Sequence, residues 1–315
     1  MYVHTLNSYL KKAYGEKVYK LSLSGAFTCP NRDGTRGTGG CTFCSAGGSG
    51  DFAEDASLPF SEQMTRAKAR IAGKTGARLF IAYFQSFTGT YAPTETERRR
   101  LQDLYRSAAS YPDVVAVSIG TRPDCLDENW LNFLGKLNAV KPVWVELGLQ
   151  TSKPETAERI RRGYGTEEYR RAVCELNALG IKVVTHVILG LPGETEENME
   201  NTVQYAVACG TWGLKLQLLH VLEGTALAAE YRRDPFPVLT QEEYIDLICR
   251  LLPQIPENIV LHRLTGDGPK RILIAPEWSG NKRAVLNAMN RALRERDVVQ
   301  GSGVTFPQDP PDTTG

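Results

Sequence analysis

Short apolar runs alternate with amphipathic stretches along most of the chain. Runs at 18–24, 79–84, 114–119, 143–149, 182–189 and 213–219 have the length of strands. Stretches near 61–74, 94–110, 127–140, 167–180 and 196–210 carry helical patterns, and another follows at 240–252. Such alternation predicts parallel strands joined by crossover helices. Six units of this kind predict an α/β fold, a partial (β/α)6 barrel of the TIM type, with a doubly wound open sheet as the alternative.

Side-chain parity adds a direction. Val143, Val145, Leu147 and Leu149 share one strand face, while Trp144, Glu146 and Gly148 share the other, with Gln150 in phase. Leu214, Leu216 and Leu218 oppose Lys215 and Gln217; Tyr19, Leu21 and Leu23 oppose Lys20, Ser22 and Ser24. A parallel sheet is apolar where helices cover it. The polar faces are therefore expected to point into the barrel. A purely structural barrel fills that space with branched apolar residues, so polar groups there predict a ligand-filled interior rather than a packed one. Functional groups of such barrels gather at the C-terminal strand ends.

Residues 255–315 break the alternation. A strand-like piece at 259–263 precedes a helix near 281–297, on which Val285, Leu286, Met289 and Leu293 form an apolar stripe opposite Arg283, Arg291 and Arg294. The Gly- and Pro-rich end is expected to be loose. The expected division is a barrel with its N-terminal segment over 1–254 and a short α+β extension over 255–315.

Composition narrows the function classes. A formal net charge of +1 gives no global field toward nucleic acid or membrane, so any nucleic-acid contact must use a local patch. Local runs stand at Arg98, Arg99 and Arg100, at Arg161 and Arg162, and at Arg232 and Arg233. Each reads as a solvated face unless the fold gathers several on one rim. The N-terminal stretch lacks a continuous apolar segment, and no apolar run approaches transmembrane length. Of the seven cysteines, Cys125, Cys174, Cys209 and Cys249 are scattered and read as small buried hydrophobes. This usage predicts a reducing, cytoplasmic compartment.

The other three cysteines stand together in FTCPNRDGTRGTGGCTFC, residues 27–44: Cys29, Cys41 and Cys44. Glycines between them let the loop bend tightly. Three thiolates are one short of a closed zinc site or a simple electron-transfer cluster. On a four-iron cluster they would leave one iron open. A zinc site with a distant fourth ligand stays open as a reading of the triplet alone. Cys29 follows the first strand closely, which places the loop at the expected mouth of the barrel.

With Phe43 before Cys44, this loop resembles the cluster motif of radical S-adenosylmethionine (SAM) enzymes, and in particular an elongator-like subfamily with the signature CPNRDGT…GGCTFC. The resemblance extends through YFQSFTGTYAP (83–93), SIGTRPDCL (118–126), VELGLQTS (145–152), HVILGLPGET (186–195), KLQLLHVLEGTALA (215–228), LTGDGP and APEWSGNK. It covers nearly the whole chain. It implies a 4Fe-4S cluster held by Cys29, Cys41 and Cys44, with SAM on the open iron. Reductive cleavage of SAM would then yield a 5′-deoxyadenosyl radical. A flavodoxin- or ferredoxin-like reductant is implied as well.

The resemblance also assigns SAM contacts. Phe43 matches the aromatic residue near adenine. Gln85 ends the second strand where relatives carry a Gly-Gly-Glu turn for the methionine amine; this chain departs from that pattern. Glu146 and Gln150 match a fourth-strand motif that reaches toward SAM, and His186 a polar ribose partner. Gly190 and Gly193 belong to a turn whose backbone would approach adenine. Arg122, Lys215 and Gln217 are candidate cofactor or substrate contacts.

The nearest resemblance is to bacterial proteins that convert the carboxymethylaminomethyl side chain of the tRNA wobble uridine to aminomethyl. Unlike the elongator catalytic subunit, the chain has no room for a C-terminal acetyltransferase domain. The absence of a nucleophile–base–acid set fits radical chemistry, and the lack of a second cysteine triplet disfavours methylthiolation. The alternatives are a radical SAM oxidoreductase acting on a small molecule and a zinc-stabilised RNA-binding protein without catalysis.

Overall fold

The computed structural model describes residues 3–48, 53–266 and 268–304. Its strands are β1 (Val18–Leu23), β2 (Leu79–Phe84), β3 (Val114–Thr121), β4 (Val143–Gln150), β5 (Lys182–Leu189), β6 (Gly213–Leu218), β7 (Val221–Leu222), β8 (Val260–Arg263) and β9 (Leu273–Ala275). Seven of them form one parallel sheet in the order β1-β2-β3-β4-β5-β6-β8, curled into a half barrel, while β7 and β9 make a small antiparallel ribbon. The sheet has one strand more than the alternation predicts. Four-residue β8 follows the helix Gln241–Gln254 and pairs parallel with β6, adding a further β/α unit.

Parity sorts the sheet as expected. Leu21, Leu23, Val145, Leu147, Leu214 and Leu216 lie in the large core between sheet and helices. Helix starts are fixed locally. Thr195 and Thr240 close capping boxes, each accepting a hydrogen bond from the amide three residues on.

The inward face has two storeys. At the N-terminal ends of the strands, Ile81, Ala116 and Trp144 pack with Leu10, which is only 2% exposed. Leu10 belongs to the helix Leu6–Tyr14, capped by Thr5 and ended by Gly15 at φ 75°. Tyr9 and Trp212 join this floor, with Tyr9–Trp212 and Trp144–Trp212 centroids 5.0 and 5.1 Å apart. The preceding segment hydrogen-bonds to β8, the Leu261 amide donating to His4 O at 2.8 Å. The floor is thus largely apolar and aromatic, with His262 packed against Trp144 and Trp212, and the cavity opens at the opposite end.

The helix Lys282–Glu295 buries Val285, Met289 and Leu293 and leaves its arginines exposed. One expectation is corrected: of the four scattered cysteines only Cys249 is buried, Cys125 and Cys209 are half-buried, and Cys174 is exposed, because it lies on the outer side of its helix. The loose tail expected after residue 304 falls outside the described residues.

Candidate active site at the strand C-termini

A cavity of about 250 Å³ opens where the parallel strands end. Cys29, Cys41, Phe43 and Cys44 line one side, from the loop after β1. Glu146, His186, Lys215 and Gln217 line another, from β4, β5 and β6. Gln85, Arg122 and Gln150 complete the expected set along the wall.

The cysteine loop is clamped from both ends. The Asn31 side-chain amide donates to Arg161 O and Arg162 O at 2.8 and 3.0 Å and lies 3.6 Å from Cys41 Sγ. Arg162, 2% exposed, anchors that segment to the end of β4: Nη1 donates to Leu149 O and Thr151 O, both at 2.6 Å. Gly163 sits at φ 79°, and a Cβ there would fall 2.7 Å from Asn31 Oδ1, so only glycine fits without displacement. Arg32 crosses the loop and donates to Cys44 O and Ser45 O at 3.2 and 2.6 Å. Arg122 is committed to Asp124 (2.9 and 2.8 Å) and to Arg162 O (3.0 Å), which makes it a brace for this region.

This donor set suits iron–sulfur ligation. All three thiols face one cavity, and soft thiolates select such metals. Burial pushes the Cys44 thiol up to about 12, aided by neighbouring Cys41, and raises Cys41 against Arg122 and Asn31. A metal that displaces these protons removes that penalty, and the nearby Arg32 and Arg122 cations offset thiolate charge. Among the described residues, no three His, Cys, Asp or Glu side chains converge on one metal-ion position.

Across the cavity, Glu146 is the hub of a buried network. Its side chain is fully buried. Lys20 Nζ reaches Oε1 at 2.6 Å and Ser118 Oγ donates to the same oxygen at 2.8 Å. Lys215 Nζ contacts Oε2, and His186 Nε2 lies 2.8 Å from it. Burial alone would raise the Glu146 carboxyl. The Lys20 and Lys215 ammonium groups and the His186 hydrogen bond outweigh it and hold the carboxyl well below the usual range. Burial and the Lys215 charge lower His186 to about 4, against the pull of Glu146. The imidazole is then neutral, donating from Nε2 and accepting at Nδ1 from Gln217 Nε2, 3.3 Å away.

Gln150 ends β4 at φ 59°, and the register between β4 and β5 shifts beside it. A Cβ on Gly148 would fall 2.2 Å from Gln150 Nε2, so the glutamine lies back over that glycine. Tyr164 OH stands 2.8 Å from Gly148 O and 3.1 Å from Gln150 Oε1. A left-handed glutamine stores roughly 1–3 kcal/mol of strain, which the surrounding contacts sustain.

Two expected residues lie off the cavity wall. Gly190 and Gly193, at φ 89° and 82°, form the turn after β5, but a Cβ on Gly190 would meet Leu239, and one on Gly193 would meet Arg159. Their positive φ is what the turn requires. Most members of the arginine runs are engaged, while Arg161 and Arg233 are exposed. Arg98 pairs with Asp127, Arg99 with Glu95 and Arg232 with Glu223, while Arg100 donates to Gly25 O.

Sequence reasoning missed Asn31, Arg162, Tyr164 and Tyr83. Asn31 and Tyr83 stand within the motifs CPNRDGT and YFQSFTGTYAP, and glycines at 163 and 165 flank Tyr164 beside an arginine pair read only as surface charge.

Comparison with known proteins gives two family models. The radical SAM superfamily model matches residues 32–206, and the radical SAM C-terminal domain model matches 211–295. The chain is 43% identical over 298 residues to YtqA of Bacillus subtilis (strain 168), covering 95% of this chain and 91% of that protein. It is 30% identical over 163 residues to the tRNA uridine(34) acetyltransferase of Methanocaldococcus jannaschii, covering 51% of this chain and 30% of that protein. The solved structure of Methanocaldococcus infernus Elp3 superposes with a TM-score of 0.67 at 19% identity, over 90% of this chain and 64% of that one, a likeness of fold.

Proposed function

The chain belongs to the radical SAM superfamily, whose members bind a 4Fe-4S cluster and SAM, and from that premise we propose that it modifies the side chain of a tRNA wobble uridine, converting carboxymethylaminomethyl to aminomethyl. The observation that carries the substrate is the similarity, across half of the chain, to a protein named for its action on uridine 34 of tRNA.

In this reading Cys29, Cys41 and Cys44 would hold the cluster, with SAM beside it. When bound and given one electron by a flavodoxin- or ferredoxin-like donor, the pair would supply a radical that takes a hydrogen atom from the carboxymethyl carbon; return of one electron from that carbon and addition of water would then break its bond to nitrogen, releasing glyoxylate and leaving the aminomethyl group. The chain's own residues orient and enclose. Phe43 lies on the cysteine side, and Gln150, His186 and Gln217 face the space that remains for SAM. The packed floor of Leu10, Ile81, Ala116 and Trp144 below Glu146 limits water at that end of the barrel, which protects a radical from quenching.

Two measurements test the assignment. In tRNA from a strain lacking the gene, mass spectrometry should show carboxymethylaminomethyl-uridine at the expense of its aminomethyl product. Anaerobically reconstituted protein, given SAM, a flavodoxin- or ferredoxin-like electron donor and that tRNA, should release 5′-deoxyadenosine and form the aminomethyl nucleoside, with the lost two-carbon unit appearing as glyoxylate. Unchanged wobble-uridine species in the deletion strain would overturn the tRNA assignment. SAM cleavage stimulated by cell metabolites but not by tRNA would move the substrate to a small molecule.

A further inference from the structure

Among the described residues, the lysine in the cavity wall shares its one carboxylate partner with a second ammonium group. Lys215 Nζ is fixed from two strands, by Glu146 Oε2 and by Tyr83 OH at 2.8 Å, and its side chain is 6% exposed. An ammonium group has three N–H donors. Two are engaged, and the third is left for the cavity that Lys215 lines. Lys20 occupies the other oxygen of the same carboxylate. Two ammonium groups thus share one carboxylate, and among the described residues lining the cavity Glu146 is the only acid. His186, as a neutral imidazole, changes nothing in that balance. A buried uncompensated cation is costly until an anion joins it or it loses its proton.

We propose that Lys215 is a carboxylate subsite, whose third N–H binds an anionic carboxylate on the substrate side chain and thereby gains a counter-charge beyond the carboxylate it shares with Lys20. This rests on the reading that the substrate uridine carries a carboxymethylaminomethyl group, whose terminal carboxylate is the anion. The subsite holds the far end of that side chain against the strand wall, across the cavity from the cysteine loop. Burial, with Lys20 and Arg263 adding to it and Glu146 opposing, takes Lys215 down to about 7 in the protein alone, as a lysine that shares its counter-ion should behave. A bound carboxylate raises it again.

The test is equilibrium binding of anticodon stem-loops by the anaerobic holoenzyme with SAM. One stem-loop carries carboxymethylaminomethyl-uridine, and the other carries its neutral carboxamide. Wild type should prefer the acid by roughly 10- to 100-fold, the range of a charge-assisted hydrogen bond. Lys215→Gln should lose that preference, and Lys215→Arg should restore part of it. Retained cluster absorbance and melting temperature verify each variant. Should Lys215→Gln fold poorly, Lys20→Met carries the test: it leaves Lys215 alone with Glu146 and should reduce the preference. Equal affinity of wild type for acid and amide, or an undiminished preference in Lys215→Gln or in Lys20→Met, overturns the subsite. Conversion of the tRNA is scored separately. Wild type that prefers the acid but never converts it leaves the subsite standing and removes the wobble-uridine reaction.

Discussion

The side-chain amide of Asn31 donates to the carbonyl of Arg162, 3.0 Å away across 131 positions of chain. That bond ties the cysteine loop to a segment bolted onto the end of β4. Gly163→Ala should disturb it, since the new Cβ enters at 2.7 Å from Asn31 Oδ1 and the residue must keep φ near 79°. We expect a stability loss of about 1–3 kcal/mol and fewer irons retained per chain after anaerobic gel filtration. Unchanged iron content would mean that the loop does not need this clamp.

Cys41→Ala should abolish both the brown colour of the reconstituted protein and SAM cleavage. Cys125→Ala is the control. Cys125 lies beyond the lining of the cavity and should leave iron content as in wild type. Visible absorbance and 5′-deoxyadenosine release read both variants.

Leu10→Ala opens the barrel floor. Leu10 is buried against Ile81, Ala116 and Trp144, and truncation of such a side chain costs about 2–5 kcal/mol. The melting temperature should fall while iron content stays near wild type, because floor and cysteine loop occupy opposite ends of the barrel.

Glu146→Ala leaves Lys20 and Lys215 without their shared carboxylate. Breaking a buried ion pair from one side costs about 3–5 kcal/mol. Chemical denaturation at pH 7 should show that loss, and Glu146→Gln should fall between.

Acidification should destabilise the protein through His186. Its folded value, about 4, lies below the ordinary 6.5, so the unfolded chain takes up this proton first as pH falls. Stability then decreases between about pH 6.5 and pH 4. The His186 side chain keeps 23% of its surface exposed, which limits the effect to on the order of 1–2 kcal/mol. Denaturation curves should be less steep with pH in His186→Gln than in wild type over that window. Equal slopes would contradict a neutral His186. Glu146, held low, adds a further loss below its ordinary 4.5.

Local pattern alone determined much of this protein. The period-two alternation of Val145, Leu147, Leu214 and Leu216 against Glu146, Lys215 and Gln217 identified the inward polar face, because a strand side chain has only two directions to take. The spacing of Cys29, Cys41 and Cys44 marked the loop for the same reason of short reach. What only tertiary structure decided were relations between distant strands. Lys20 meets Glu146 across 126 positions and Lys215 meets it across 69, and no residue carries in its own neighbourhood a record of its partner. Arg162 read as a surface charge and became a buried bolt, while Gly190 and Gly193, read as cofactor backbone, lie outside the lining of the cavity. Short-range chemistry sets which way a side chain points; the closing of the barrel sets what it finds there.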